Sequence, residues 1–311
     1  MGIVVGCDVS KDWIDVQVVG PDLHRELRVA NESKAIENFA RELAAGSLVG
    51  MEATGQMHEL LASTLHRQGH RVFVINPRWI RMYARAIGAR GKSDRTDAAL
   101  IARYTASESG NLHVYEPAGV EQQELRKLLL QRLEVVKLKT AARMSLGTQS
   151  RELCLHFDRI LYGIESRIAR IISHIPHWQD LAKRLSTSPG IGPLVSAHLV
   201  QVLTRIPFAT ADAFVAHTGL DPRPNDSGQK RGRRRLTHHG DAALRTMLYM
   251  AAMTACRQPE WRAIYEAHRG KGLPSTAAYV VVARKLARVA FGLFKSGQSY
   301  DPERLCGLQP S

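Results

Sequence analysis

The first 108 residues carry an order of local patterns that few folds accommodate: three strand-like runs in succession, then helix and strand in alternation. Residues 3–8 (IVVGCD) are a short apolar run ending in Asp8. Residues 13–19 alternate Trp13, Asp15 and Gln17 against Ile14, Val16 and Val18, the period of two that marks a half-buried strand. A Pro21-Asp22 turn leads into a third strand over 23–30. Asn31 or Ser33 can cap a helix to about Ala45, with Ile36, Phe39, Ala40 and Leu43 on one face. LVGME (48–52) is a strand ending in Glu52, 55–68 a helix and 71–76 a strand. Pro77 opens a basic helical segment, and Ser93 or Asp94 caps a helix over 94–108. Hairpin-linked strands followed by this alternation predict a mixed sheet covered by helices, in the order of the ribonuclease H superfold.

The rest of the chain reads as helical. Between Glu121 and Ile172 Gly and Pro are scarce; Leu125, Leu129, Leu133 and Val136 recur at helical steps, and Leu153, Phe157, Ile160, Ile164, Ile168 and Ile171 do so beyond Gly147. Two long helices follow, and an antiparallel hairpin within the chain fits the pattern as well as a coiled coil between chains. Pro176 ends this stretch. Helical patterns over 193–204, 210–217, 240–257 and 275–295 fill the remainder. The expected domains are 1–112, 119–175 and 180–311.

Composition narrows the partners. Residues 1–110 carry a net charge of +1 and the remainder +13, out of +14 in all. Such asymmetry favours a polyanion, and the absence of a basic helix rich in Trp and Phe favours nucleic acid over a membrane surface. No 18-residue apolar run and no basic leader before IVVGC occur, so neither a membrane span nor a signal peptide is expected. Cys7, Cys154, Cys256 and Cys306 are widely spaced, which speaks against a zinc site or a disulfide framework and for buried free thiols in a reducing cytoplasm.

Three constellations carry chemistry. Asp8 and Glu52 each end a strand, and Asp94 and Asp97, three residues apart, share a helix face. Singly, Asp94 is an ordinary N-cap, Asp97 a first-turn acid and Asp8 a turn residue. Together, acids on matched elements can converge and bind Mg²⁺, two ions of which suit phosphoryl transfer. Second, Ser188-Pro189-Gly190-Ile191-Gly192-Pro193 sets Gly190 and Gly192 before a helix start, where backbone N–H groups can approach a phosphate; a plain tight turn fits nearly as well. Third, PRPNDSGQKRGRRR (222–235) holds Arg223, Lys230, Arg231, Arg233, Arg234 and Arg235 against one acid, a composition that orders on a phosphate backbone. Ser227 within it reads as a turn former. Arg78, Arg81, Arg85, Arg90 and Lys92 form a further basic strip.

GCDVSKDWIDV, VGMEATG, GKSDRTDAALIARY, LSTSPGIGP and GLDPRPNDSGQKRGRRRLTHHGDAALRTMLY resemble, in that order, the DEDD insertion-sequence transposases and Piv-type DNA invertases, the bridge-RNA-guided recombinases. The resemblance spans nearly the whole chain. It implies a RuvC-like N-terminal domain, a coiled-coil connector and a mainly helical C-terminal transposase domain with a helix-hairpin-helix-like motif. It implies that Asp8, Glu52, Asp94 and Asp97 hold the metal, and that Ser227 is the nucleophile of a phosphoserine link to DNA. Target and donor duplexes, a structured bridge RNA and further copies of the chain, from dimer to tetramer, are the partners it implies, at the bacterial nucleoid. A metal-dependent nuclease or junction resolvase without a covalent intermediate is the alternative. An RNA-binding protein with structural acids is another. An actin-like ATPase would need a glycine-rich phosphate loop after Asp8, which Val9-Ser10-Lys11 does not supply.

Overall fold

The computed structural model describes residues 2–53, 57–88, 94–223, 235–236 and 240–303; of 94–96, 223 and 235 it describes the backbone. The chain divides into two compact units, 1–117 and 118–311.

The first unit is built on a five-stranded mixed sheet. β1 (Val4–Val9), β2 (Trp13–Val19) and β3 (His24–Ala30) form an antiparallel meander; β4 (Leu48–Glu52) and β5 (Arg71–Ile75) run parallel to β1, giving the order β3-β2-β1-β4-β5. The period of two in β2 is observed: Ile14, Val16 and Val18 are buried with Val5, Cys7 and Val9 of β1. This face packs on α1 (Ser33–Glu42) and α2 (Glu59–Arg67) through Ile36, Phe39, Leu61 and Leu65. α3 (Pro77–Ala86) buries Ile80 against Phe73, Ile75 and Ile101. α4 (Asp94–Glu108) covers the opposite face of the sheet. Neither expected cap serves α1: Glu32 occupies the N-cap position without a side-chain bond, and the Asn31 amide instead donates to the Ser10 carbonyl at 2.9 Å, tying β3 to the β1–β2 turn.

The second unit opens with a helix pair, α5 (Val120–Leu146) and α6 (Arg151–His174), joined by a 3-10 turn at Gly147–Ser150. Arg132–Glu165, Lys139–Asp158 and Glu124–Arg167 ion pairs run up one helix and down the other, so the two are antiparallel. Leu125, Leu128, Leu129 and Ile168 root the pair in the unit's core; further out, Leu138, Met144, Leu155, Ile160 and Tyr162 are exposed. α7 (Pro176–Leu185), α8 (Pro193–Leu203), α9 (Ala211–Thr218), α10 (Ala242–Ala255), α11 (Pro259–Gly270) and α12 (Ser275–Ser296) complete the unit. Pro176, expected as a terminator, opens α7, and Pro259 opens the unforeseen α11; proline fits the first helical turn, where its missing N–H has no partner to lose. Among the described residues no helix is long and apolar enough to cross a membrane.

Candidate functional site

The acids of the first unit are positioned by two glycines. A Cβ on Gly6 would fall 2.1 Å from the Ala98 carbonyl oxygen and 2.3 Å from the Ala102 nitrogen; one on Gly50 would fall 1.8 Å from Thr105 Oγ1. Both glycines therefore lie against α4, and β-alternation sets Asp8 and Glu52, two residues beyond each, on the same face. Cys7 pairs with Met51 in the parallel ladder, so Asp8 and Glu52 extend the pairing side by side at its C-terminal end.

The direction of α4 brings its acids to that end. Ala98 lines a cavity of about 420 Å³ with Asp15 and Arg28, at the Asp8 end of β2. Ala102, Arg103 and Ala106 line one of about 870 Å³ with Val4, Val19 and Gly20, at the opposite end. α4 thus descends antiparallel to β1, and its first turn, with Asp94 and the half-buried Asp97, lies toward Asp8 and Glu52. The Asp94 side chain lies outside the described residues. Among the described residues no three acidic, His or Cys side chains are close enough to hold a metal ion. The donor set expected from the sequence, Asp8, Glu52, Asp94 and Asp97, is all carboxylate, which is the chemistry a hard divalent cation takes. Beside it, burial first and the Asp8 charge second push the Cys7 thiol well above its usual range, and Cys7 packs in the apolar core of the sheet.

Sequence reasoning left Asp15 out of the site. It stands directly across the antiparallel ladder from Asp8 and accepts two bonds from Arg28, at 2.9 and 3.0 Å. A signal existed: a hairpin turning at Ser10–Asp12 makes residues 8 and 15 cross-strand partners.

In α3, Arg78, Arg81 and Arg85 are exposed at spacings of three and four, on one helical face with the exposed Met82; Trp79 is exposed beside them. Arg90 and Lys92 lie outside the described residues.

In the second unit Gly190 (φ +84°) lies against α10: an added Cβ would come within 2.2 Å of the Ala251 carbonyl oxygen, so helix packing alone demands this glycine. Gly192 is the N-cap of α8 with open space about it and no side-chain cap, and Ser188 Oγ is buried nearby without a hydrogen-bond partner.

Ser227, Lys230, Arg231, Arg233, Arg234 and the His238-His239 pair lie outside the described residues, as do the side chains of Arg223 and Arg235. The neck of their segment is described. Pro222–Arg223 and Arg235–Leu236 pair as a two-residue antiparallel ladder. A Cβ on Gly240 would fall 1.9 Å from the His217 carbonyl oxygen, to which the Asp241 amide donates at 2.9 Å. The Asp241 carboxylate caps α10 by accepting from the amides of Ala243 and Leu244. Behind it, burial pushes the His198 imidazole down to about 4, opposed by Asp241 and aided by Arg132, and lowers His217 in the same way.

A sheet whose acidic strand ends lie toward the first turn of a crossing helix, in a chain whose sequence also carries a basic segment, suits a DNA recombination enzyme. Two transposase models match the chain in succession: one of the DEDD IS110 type over residues 5–149 and one for the IS116/IS110/IS902 family over 182–266. The chain belongs to this IS110/IS116 family of transposases and DNA invertases. Over 96% of its length it is similar to the pilin gene-inverting proteins of Moraxella bovis (25% identical, 97% of that protein covered) and Moraxella lacunata (28%, 97%). It is likewise similar to a probable family 20 transposase of Pseudomonas aeruginosa (27%, 98%).

Proposed function

We propose that the chain cuts and rejoins target and donor DNA through a phosphoserine intermediate, guided by a structured RNA, with a RuvC-like metal site in the first unit. The observation that supports this reading is that Asp8 and Glu52 end neighbouring parallel strands at the end of the sheet toward which the first turn of α4 lies. Asp8, Glu52, Asp94 and Asp97 would hold Mg²⁺, which when bound supplies activation of an attacking oxygen and stabilisation of a leaving one. Ser227 Oγ attacks a backbone phosphorus; a Ser–O–P ester forms, a strand hydroxyl leaves, and attack by a hydroxyl of the other duplex restores the serine. The ester conserves the bond, so rejoining needs no external energy. Lys230, Arg231 and Arg233–Arg235 hold the duplex, and the α3 arginines contact the RNA. Two duplexes and four cuts require more than one chain, and the exposed apolar residues of α5 and α6, acting as a coiled coil, supply a surface for self-association.

Supercoiled plasmid carrying target and donor, incubated with the chain, cognate RNA and Mg²⁺, tests this. The wild type should yield a denaturation-resistant protein–DNA adduct and recombinant product. Ser227→Ala should bind DNA and give no adduct; Asp8→Ala and Asp97→Ala should give neither adduct nor product. Nicked plasmid without an adduct would replace the proposal with a hydrolytic nuclease.

A further inference from the structure

Arg28 stands directly across from Asp15 in the β2–β3 ladder, and Asp15 directly across from Asp8 in β1–β2. Opposed residues of antiparallel strands project from one face. Arg28, Asp15, Asp8 and Glu52 therefore form a row across the end of the sheet, on the α4 side. Arg28 Nε and Nη2 donate to the two Asp15 oxygens in a fork, the geometry that locks a guanidinium to a carboxylate. The Asp15 side chain is only 14% exposed, and that of Arg28 is half exposed.

We propose that Asp15 and Arg28 are positioning residues of the candidate metal site: together they are neutral, and their balance sets the charge beside Asp8. The proposal rests on the reading of Asp8 and Glu52 as metal ligands. Its logic is electrostatic. Asp15 without Arg28 would be an additional anion in an acidic row, repelling Asp8 and attracting a cation. Arg28 without Asp15 would be an unbalanced cation two strands away from Asp8, competing with a divalent ion for the same carboxylate. The two single losses therefore move cation affinity in opposite directions, and the double loss cancels. A pair that merely braces β2 against β3 would alter stability and leave cation affinity where it was.

Mn²⁺ titration of the full chain, with free Mn²⁺ read by electron paramagnetic resonance, separates these accounts. Asp15→Asn should weaken binding about three- to tenfold and Arg28→Gln should strengthen it by a similar factor, the scale of one nearby charge in a partly solvated site. The double variant should return to within about twofold of wild type. Arg28→Lys, which keeps the charge and loses the fork, should bind as wild type does, and a tighter site in Arg28→Lys would overturn the charge argument. Asp8→Asn should lose the site. If Asp8→Asn does so while the two single variants bind unchanged, or shift in the same direction, the positioning role fails and the metal reading stands. If wild type and Asp8→Asn bind Mn²⁺ alike, or neither binds it, the metal reading fails and this proposal with it.

Discussion

The Ala98 carbonyl and the Ala102 amide occupy the space that a side chain at residue 6 would need. Gly6→Ala must push α4 off the sheet, and overpacking against backbone belongs at the upper end of such costs, about 3 kcal/mol. A lower urea midpoint with little change in helical signal is the expected result, along with loss of DNA cleavage as Asp94 and Asp97 move with α4. Wild-type stability in Gly6→Ala would show that the helix does not ride on this glycine. His198 gives a second residue-scale prediction. Its folded pKa, pushed down to about 4, lies below the ordinary 6.5, so the unfolded chain binds the extra proton. Stability is then full above pH 6.5 and drains as pH falls toward 4, by on the order of 3 kcal/mol. Denaturation at pH 7 and at pH 4.5, followed by tryptophan fluorescence, should show that loss in the wild type and a smaller one in His198→Leu. Asp8 and Glu52 were legible in the sequence because each ends an apolar run. The burial of His198 and the reason for Gly6 were not, since both depend on what another element brings against them.

Among the elements, the strands were readable because alternation and turn residues agree; β2 and β4 have the bounds that pattern alone predicts. α7 escapes the pattern because Pro176 reads as a stop and serves as a start, and α11 because it lies between the helical patterns over 240–257 and 275–295. The hairpin nature of α5 and α6 was undetermined by apolar spacing, which is the same for a partner within the chain or on another; the charged pairs that fix it join residues up to 43 positions apart. α10 carries the element-scale prediction. The Asp241 side chain satisfies two of its first amides while the backbone of the same residue ties the exit of the 224–239 segment to α9. Asp241→Ala should cost about 1 kcal/mol through the lost cap, with Asp241→Ser restoring most of it. Because the same residue anchors the segment holding Ser227, adduct formation should fall further in Asp241→Ala than in a surface variant of equal stability.

At the scale of the whole molecule, charge is divided as sharply as structure: almost all of the +14 lies beyond residue 110. That was legible in the sequence, and so was the composition of 223–235, whose six basic residues and two glycines offer almost no apolar side chains to bury. A phosphate backbone supplies what the segment lacks, and displaced counterions make the resulting affinity fall with salt. Each side chain that meets a phosphate adds about 0.9 to the slope of log affinity against log salt. Replacing Lys230, Arg231, Arg233 and Arg234 together by Gln should therefore reduce that slope by about three to four, whatever the DNA sequence. Asp8→Asn and Asp97→Asn, which alter the other unit, should leave the slope as it is. Fluorescence anisotropy on a labelled duplex between about 50 and 200 mM salt reads both. A slope unchanged by the quadruple replacement would move the DNA contact away from this segment, and with it the case for Ser227, since a nucleophile must sit where the phosphates are held.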